Sequence, residues 1–235
     1  MRILVDGLDL SGKTTLVSTL IDTLAARRVP AVRHRGMLAE HHPLERWLKR
    51  LPLAYQSQSS LITGAYLFGG YALDAALLHI DPPRTDGAVL IQEGYVDRTM
   101  AVGLAGGPYL PAALAMWASR CFATFDLAVF LHASPAVRRT RMDQRERVDS
   151  GDRRSVEDGA FADRFNAALL TYLGRRHSSL LVFDTGVHTP QEIAEEILTT
   201  AGLVRPVPVP VPRPGCEGSG RTAVEPQEAG RVLGA

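Results

Sequence analysis

The chain has 235 residues, 46% of them hydrophobic, and a formal net charge of +1. That composition suits one domain with a good core and gives no global electrostatic reason to expect nucleic acid or an anionic membrane as partner. No run approaches the roughly 18 apolar residues of a membrane span, and Asp6 cuts short the apolar stretch Ile3-Leu4-Val5, so a cytoplasmic protein without a signal peptide is expected.

In chain order, short apolar runs alternate with longer amphipathic segments. A strand is expected over 2–6, a helix over 13–28, a strand over 31–35, a helix over 57–79 and a strand over 88–92. Then follow a helix over 111–120, a strand over 127–131, helices over 135–144 and 156–175, a strand over 180–184 and a helix over 190–200. Pro135 and Pro190 fall in first turns, where a missing amide hydrogen costs nothing. This alternation predicts an α/β fold: a five-stranded parallel sheet with helices on both faces, and ligands at the carboxyl ends of the strands. From Arg205 the run Pro-Val-Pro-Val-Pro-Val-Pro-Arg-Pro-Gly leads into a segment without periodicity. The domain is therefore expected over 1–203, with a polyproline-type, disordered tail over 204–235. Cys121 and Cys216 have no neighbours at metal-ligand spacing, so neither a disulfide framework nor a zinc site is expected.

Gly7-Leu8-Asp9-Leu10-Ser11-Gly12-Lys13-Thr14 satisfies G-x-x-x-x-G-K-[ST] at every fixed position, directly after a strand and before a helix. The glycines let the backbone turn tightly, so that consecutive amides and the helix N-terminus point at phosphate oxygens. Lys13 is expected on the β- and γ-phosphates of ATP, and the Thr14 hydroxyl on the Mg2+ ion that neutralises them. Gly7, Asp9, Ser11, Gly12, Lys13, Thr14 and Thr15 form the expected nucleotide-binding set, which makes the fold a P-loop NTPase. Lys13 and Lys49 are the only lysines in the chain. Arg138, Arg139, Arg141, Arg145, Arg147, Arg153 and Arg154 crowd one later segment. A mobile lid over ATP needs such residues to neutralise the transferring phosphoryl group, and Arg141, Arg145 and Arg147 are the candidates for that contact.

The stretch from Val5 to Thr15 resembles the phosphate loop of thymidylate kinases and, more broadly, of nucleoside and nucleotide kinases. Asp126-Leu127-Ala128-Val129-Phe130-Leu131 followed by Ser134-Pro135 and Arg141, the Arg145, Arg147, Asp152, Arg153 cluster, and Phe183-Asp184-Thr185 resemble later segments of that family in order and spacing. The resemblance spans roughly 1–203. It implies an ATP-dependent kinase, an acceptor contact at Asp9, and pairing of two copies, since many members are dimers.

At the third strand end the family carries Asp-Arg-Tyr where this chain has Glu93-Gly94-Tyr95: the carboxylate survives and the arginine is gone. Glu93 is the candidate to hold magnesium through water or to take the acceptor's proton. Phe68 stands where the family stacks an aromatic on the acceptor base, and the acceptor-gripping arginine expected near Ala72 is absent. The Arg-Glu-Pro-Gly-Gly signature is missing from Arg33-His34-Arg35-Gly36-Met37, although Arg35 can substitute for its arginine. These losses fall on arginines that pair bidentately with a monophosphate. The expected acceptor is therefore a hydroxyl of a nucleoside-like or sugar-like small molecule, contacted by Asp9, Arg35, Phe68, Glu93, Tyr95 and Arg98. Acidic Asp9, Glu40, Glu45, Asp74 and Glu93 would equally suit an amino sugar. The alternatives are a dTMP kinase and, from another class, a nucleotide-dependent switch.

Overall fold

A computed structural model describes residues 1–48, 50 and 60–203. The tail expected over 204–235 and the start of the helix expected from 57 lie outside these residues. The strands are β1 (Arg2–Gly7), β2 (Ala31–Arg35), β3 (Val89–Glu93), β4 (Leu127–His132) and β5 (Leu180–Asp184). All pair in parallel in the order β2-β3-β1-β4-β5. Each begins and ends within two residues of its expected position. The fold is thus α/β with a five-stranded parallel sheet.

Alternation along the central strands accounts for two cores. Ile3 and Val5 face Leu16, Val17, Leu20 and Leu24 of α1 (Lys13–Ala26) and Ile193, Ala194, Ile197 and Leu198 of the last helix (Pro190–Thr200). Leu4, Leu90, Ala128 and Phe130 face the other way, into a layer built by the helices Val96–Gly106 and Gly159–Arg176. Central strands buried on both faces read as continuous apolar runs, and each fully buried Leu or Ile stabilises the fold by about 1.5–3 kcal/mol. The edge strands β2 and β5 are only partly buried.

In chain order the remaining helices are α2 (Glu45–Leu48), α3 (Ser60–Gly64, a π-helical stretch Ala65–Ala72, then Leu73–Leu77), α4 (Val96–Gly106), α5 (Tyr109–Trp117), α6 (Pro135–Asp143), α7 (Ser150–Glu157), α8 (Gly159–Arg176) and α9 (Pro190–Thr200). A 3-10 turn, Ser119–Cys121, follows α5. Three of these were not expected: α2, α4 and α7. Helix α4 carries Gly103 and Gly106, poor helix formers, but Gly103 is needed for packing. A Cβ there would lie 2.7 Å from the Cβ of Ala112, so its absence lets α5 lie against α4. Helix α7 is set off from α8 by two caps. The Asp149 side chain accepts from the Asp152 amide at 2.8 Å in a capping box, and Asp158 accepts from the Phe161 amide at 2.9 Å.

The register collects the chemistry at one edge. Arg35 pairs with Glu93, Val5 with Glu93, Gly7 with Leu131, and His132 with Asp184. The carboxyl ends of all five strands therefore meet around the loop that follows β1.

Candidate functional site

The loop turns sharply between Gly7 and Lys13. The Ser11 amide donates to the Leu8 carbonyl at 3.2 Å, and Leu10 (φ 66°) and Gly12 (φ 92°) lie in the left-handed region. Glycine fits that conformation without strain, whereas Leu10 pays about 1–2 kcal/mol for it. No side chain caps the amino end of α1. Its first amides have no partners within the helix.

Lys13 stands at the centre. Its ammonium donates to the carbonyls of Gly7 at 2.9 Å and Leu8 at 2.7 Å, and lies 3.9 Å from the Asp9 carboxylate. Burial and the neighbouring Arg98 cation push its pKa down to about 8, against the pull of Asp9, Asp6 and Glu93. Arg98, from the first turn of α4, donates to the Gly7 carbonyl at 2.5 Å and to Asp9 Oδ1 at 2.6 Å. Burial raises the carboxyl pKa of Asp9, but the charges of Arg98 and Lys13 outweigh it and hold the group below its ordinary value.

Beneath this pair lies Asp6, fully buried. Its Oδ1 accepts from the Gly7 amide at 2.7 Å and stands 3.9 Å from Arg98, while Oδ2 has no hydrogen-bond partner. Burial pushes its pKa up to about 6 despite Arg98 and Lys13.

Glu93 closes the other side. Its Oε1 accepts from the Thr14 hydroxyl at 2.7 Å, and its Oε2 pairs with Arg33 at 2.5 Å. Burial raises its pKa, but the hydrogen bonds from Thr14 and Arg33 and the charges of Arg33 and Arg35 prevail, so the carboxyl sits below its ordinary range. Two hard oxygen donors thus stand side by side, an arrangement compatible with a magnesium ion that keeps most of its waters.

Two cavities flank the loop. One, about 340 Å³, is lined by Leu10, Gly12, Thr15, Arg141, Arg145 and Thr185, among others. Arg141 donates to the Leu10 carbonyl at 2.9 Å and to the Thr185 hydroxyl and carbonyl at 2.9 and 2.8 Å, and the Thr185 hydroxyl in turn donates to the Ser11 carbonyl at 3.0 Å. These bonds brace the loop against the segment after β5. Arg145 points its guanidinium at both oxygens of Asp152, at 2.8 and 2.7 Å.

The other cavity, about 390 Å³, has an apolar wall of Leu8, Val102, Phe161 and Phe165. Its polar lining comprises Asp9, Arg35, Arg98, Asp149 and Arg154, with the Thr63, Thr99 and Ser150 hydroxyls. Arg154 stacks over Phe161 at 3.9 Å, and Arg98 lies 5.5 Å from the Phe165 ring centre.

The structure brings together Gly7, Asp9, Ser11, Gly12, Lys13, Thr14, Glu93 and Arg98, with Arg35 at the rim of the larger cavity and Thr15, Arg141 and Arg145 along the smaller. Three expected residues stand apart. Phe68, expected to stack on an acceptor, lines neither cavity and is 45% exposed on the π-helical stretch of α3. Tyr95 is buried among Tyr71 and Phe125, and its hydroxyl donates to Asp74 at 2.7 Å, so it supports the core. Arg147 is exposed between α6 and α7 and lines neither cavity. Asp74, considered for a cationic acceptor, is spent on Tyr95 and the Ala39 amide.

Asp6, Arg33, Asp149, Phe161 and Phe165 were not expected, and Arg154 was expected only as one of the arginines of the lid segment. Only Asp6 carried a local signal, a carboxylate interrupting an apolar strand just before the glycine. The others reach the site from elements far apart in sequence. In comparisons with known proteins, no family model matches the chain and no curated protein is significantly similar to it.

Proposed function

We propose that the chain is a P-loop kinase that transfers the γ-phosphoryl group of MgATP to a hydroxyl of a nucleoside-like or sugar-like small molecule. The observation that supports this reading is the pair of cavities on either side of one loop, one lined by Leu8 and Asp9 and the other by Leu10, Gly12 and Thr15, which would offer donor and acceptor separate chambers. The smaller chamber, beside Arg141 and Thr185, would take the adenosine. The larger, with an aromatic wall and an ionised Asp9, would take the acceptor. A cytoplasmic setting, where ATP is plentiful, fits.

In this mechanism the loop amides and Lys13 draw charge off the transferring group, and Arg98 holds Asp9 in place. A magnesium ion held by Thr14 and Glu93 would supply further neutralisation of the phosphates. Asp9, held below its ordinary pKa, accepts the hydroxyl hydrogen bond and orients the acceptor oxygen in line.

A second reading, a nucleoside monophosphate kinase such as one for dTMP, is favoured by the guanidinium groups of Arg35, Arg98 and Arg154 around the larger cavity. Incubation with ATP and a panel of nucleosides, amino sugars and monophosphates separates the two, the new phosphate being located by mass and phosphorus NMR. Faster turnover of dTMP than of any hydroxyl acceptor would overturn the preference. If no acceptor stimulates ADP release above a slow basal rate, the alternative of a nucleotide-dependent switch gains. Lys13→Ala is expected to lower turnover at least about a hundredfold with an unchanged circular dichroism spectrum.

A further inference from the structure

A third cavity, about 500 Å³, opens at the opposite end of the sheet from the loop. Thr124, just before β4, and Arg176, just before β5, place it at the amino ends of those strands. Trp117, Arg120, Tyr172 and Arg175 complete its character, and no carboxylate lines it among the described residues.

The three guanidinium groups differ. Arg176 is 5% exposed, bonds to Asp97 at 2.5 Å and to the Ala123 carbonyl at 2.9 Å, and leaves its buried Nε without a hydrogen-bond partner. Arg120 and Arg175 are exposed and make no ion pair among the described residues. Arg175 and Arg176 also complement the dipole at the end of α8. Arg120 has no such reason to be there, since it comes from the 3-10 turn and meets them across the cavity. Beside these cations Trp117 is 88% exposed among the described residues, a flat and largely apolar surface.

We propose that this cavity is a second, regulatory binding site for a nucleoside phosphate: Arg120 and Arg175 take the phosphate, and the ring stacks on Trp117. The site does not depend on the kinase reading. Its link to the loop is structural. Arg176 ties α8 to Asp97, the neighbour of Arg98 in the first turn of α4, so an anion that draws on Arg176 loosens the segment that positions Arg98 and Asp9.

The test uses the full chain carrying Trp47→Phe, which leaves Trp117 as its only tryptophan, combined with Lys13→Ala to silence the loop. Trp117 emission is followed on titration with ATP, UMP and inorganic tripolyphosphate. A saturable change with at least one nucleotide is expected, weakened at least about tenfold by adding Arg120→Ala and Arg175→Ala, which remove two charge-assisted contacts. Both arginines are exposed, and an unchanged circular dichroism spectrum confirms the fold. No saturable change with either nucleotide at millimolar concentration, or a change indifferent to the two arginines, overturns the site. Tripolyphosphate binding as tightly as the nucleotides overturns the stacking on Trp117.

Discussion

Lys13 and Asp6 share one environment with opposite consequences. Burial and Arg98 lower the lysine to about 8, so it begins to lose its proton near the physiological range. A neutral amine holds a triphosphate poorly. ATP affinity measured by calorimetry is therefore expected to be flat up to about pH 8 and to weaken toward tenfold per pH unit above it. Asp6, raised from 3.8 to about 6, binds its proton more tightly when folded than unfolded. Its contribution to stability is present below about pH 4 and lost as pH rises to about 6. Asp6→Asn is expected to remove that slope and to raise stability at pH 7 by roughly 1–3 kcal/mol, read from urea midpoints. The loop itself was legible in the sequence because its geometry is local: glycines, lysine and threonine at fixed spacing dictate one turn. The state of Asp6 was not, because it depends on complete burial, which only the assembled fold supplies.

At the scale of elements, the strands and most helices could be read from periodicity, and α4 shows why one could not. Helix α4 lacks local propensity and exists because Gly103 lets α5 come close. Gly103→Val is expected to cost at least about 2 kcal/mol by overpacking. Gly64 in α3 has helical φ of −61° and nothing within 4 Å of an added Cβ, so Gly64→Ala is expected to stabilise by about 0.5–1 kcal/mol. Urea titration of the two variants gives shifts of opposite sign if packing, not propensity, made α4. The family resemblance suggested Phe68 as a stacking ring, but it lines neither cavity flanking the loop and is 45% exposed on α3. The rings that line the larger cavity, Phe161 and Phe165, came from a helix whose apolar stripe reads as ordinary core.

Across the whole molecule, charge is unevenly spread. Residues 60–77 and 109–117 contain a single charged side chain, Asp74, and it is buried. Yet α3 packs on α5, and the two expose Leu61 (86%), Phe68 (45%), Leu110 (67%) and Leu114 (49%). An uncharged apolar face of this kind suits an interface, and a second copy of the chain would supply a face of matching character by two-fold symmetry. The chain is expected to sediment as a dimer, and Leu61→Glu with Leu114→Glu to yield a monomer of unchanged secondary structure. A wild-type monomer at micromolar concentration would refute the pairing.

The braces made by Arg141 and Thr185 also set a timetable. The turn after β1 is translated more than a hundred residues before the side chains that clamp it at Leu10 and Ser11. A nascent chain halted before β5 has the whole motif and Arg141 but lacks Thr185, so the link from Thr185 to Ser11 and Arg141 is completed late in synthesis.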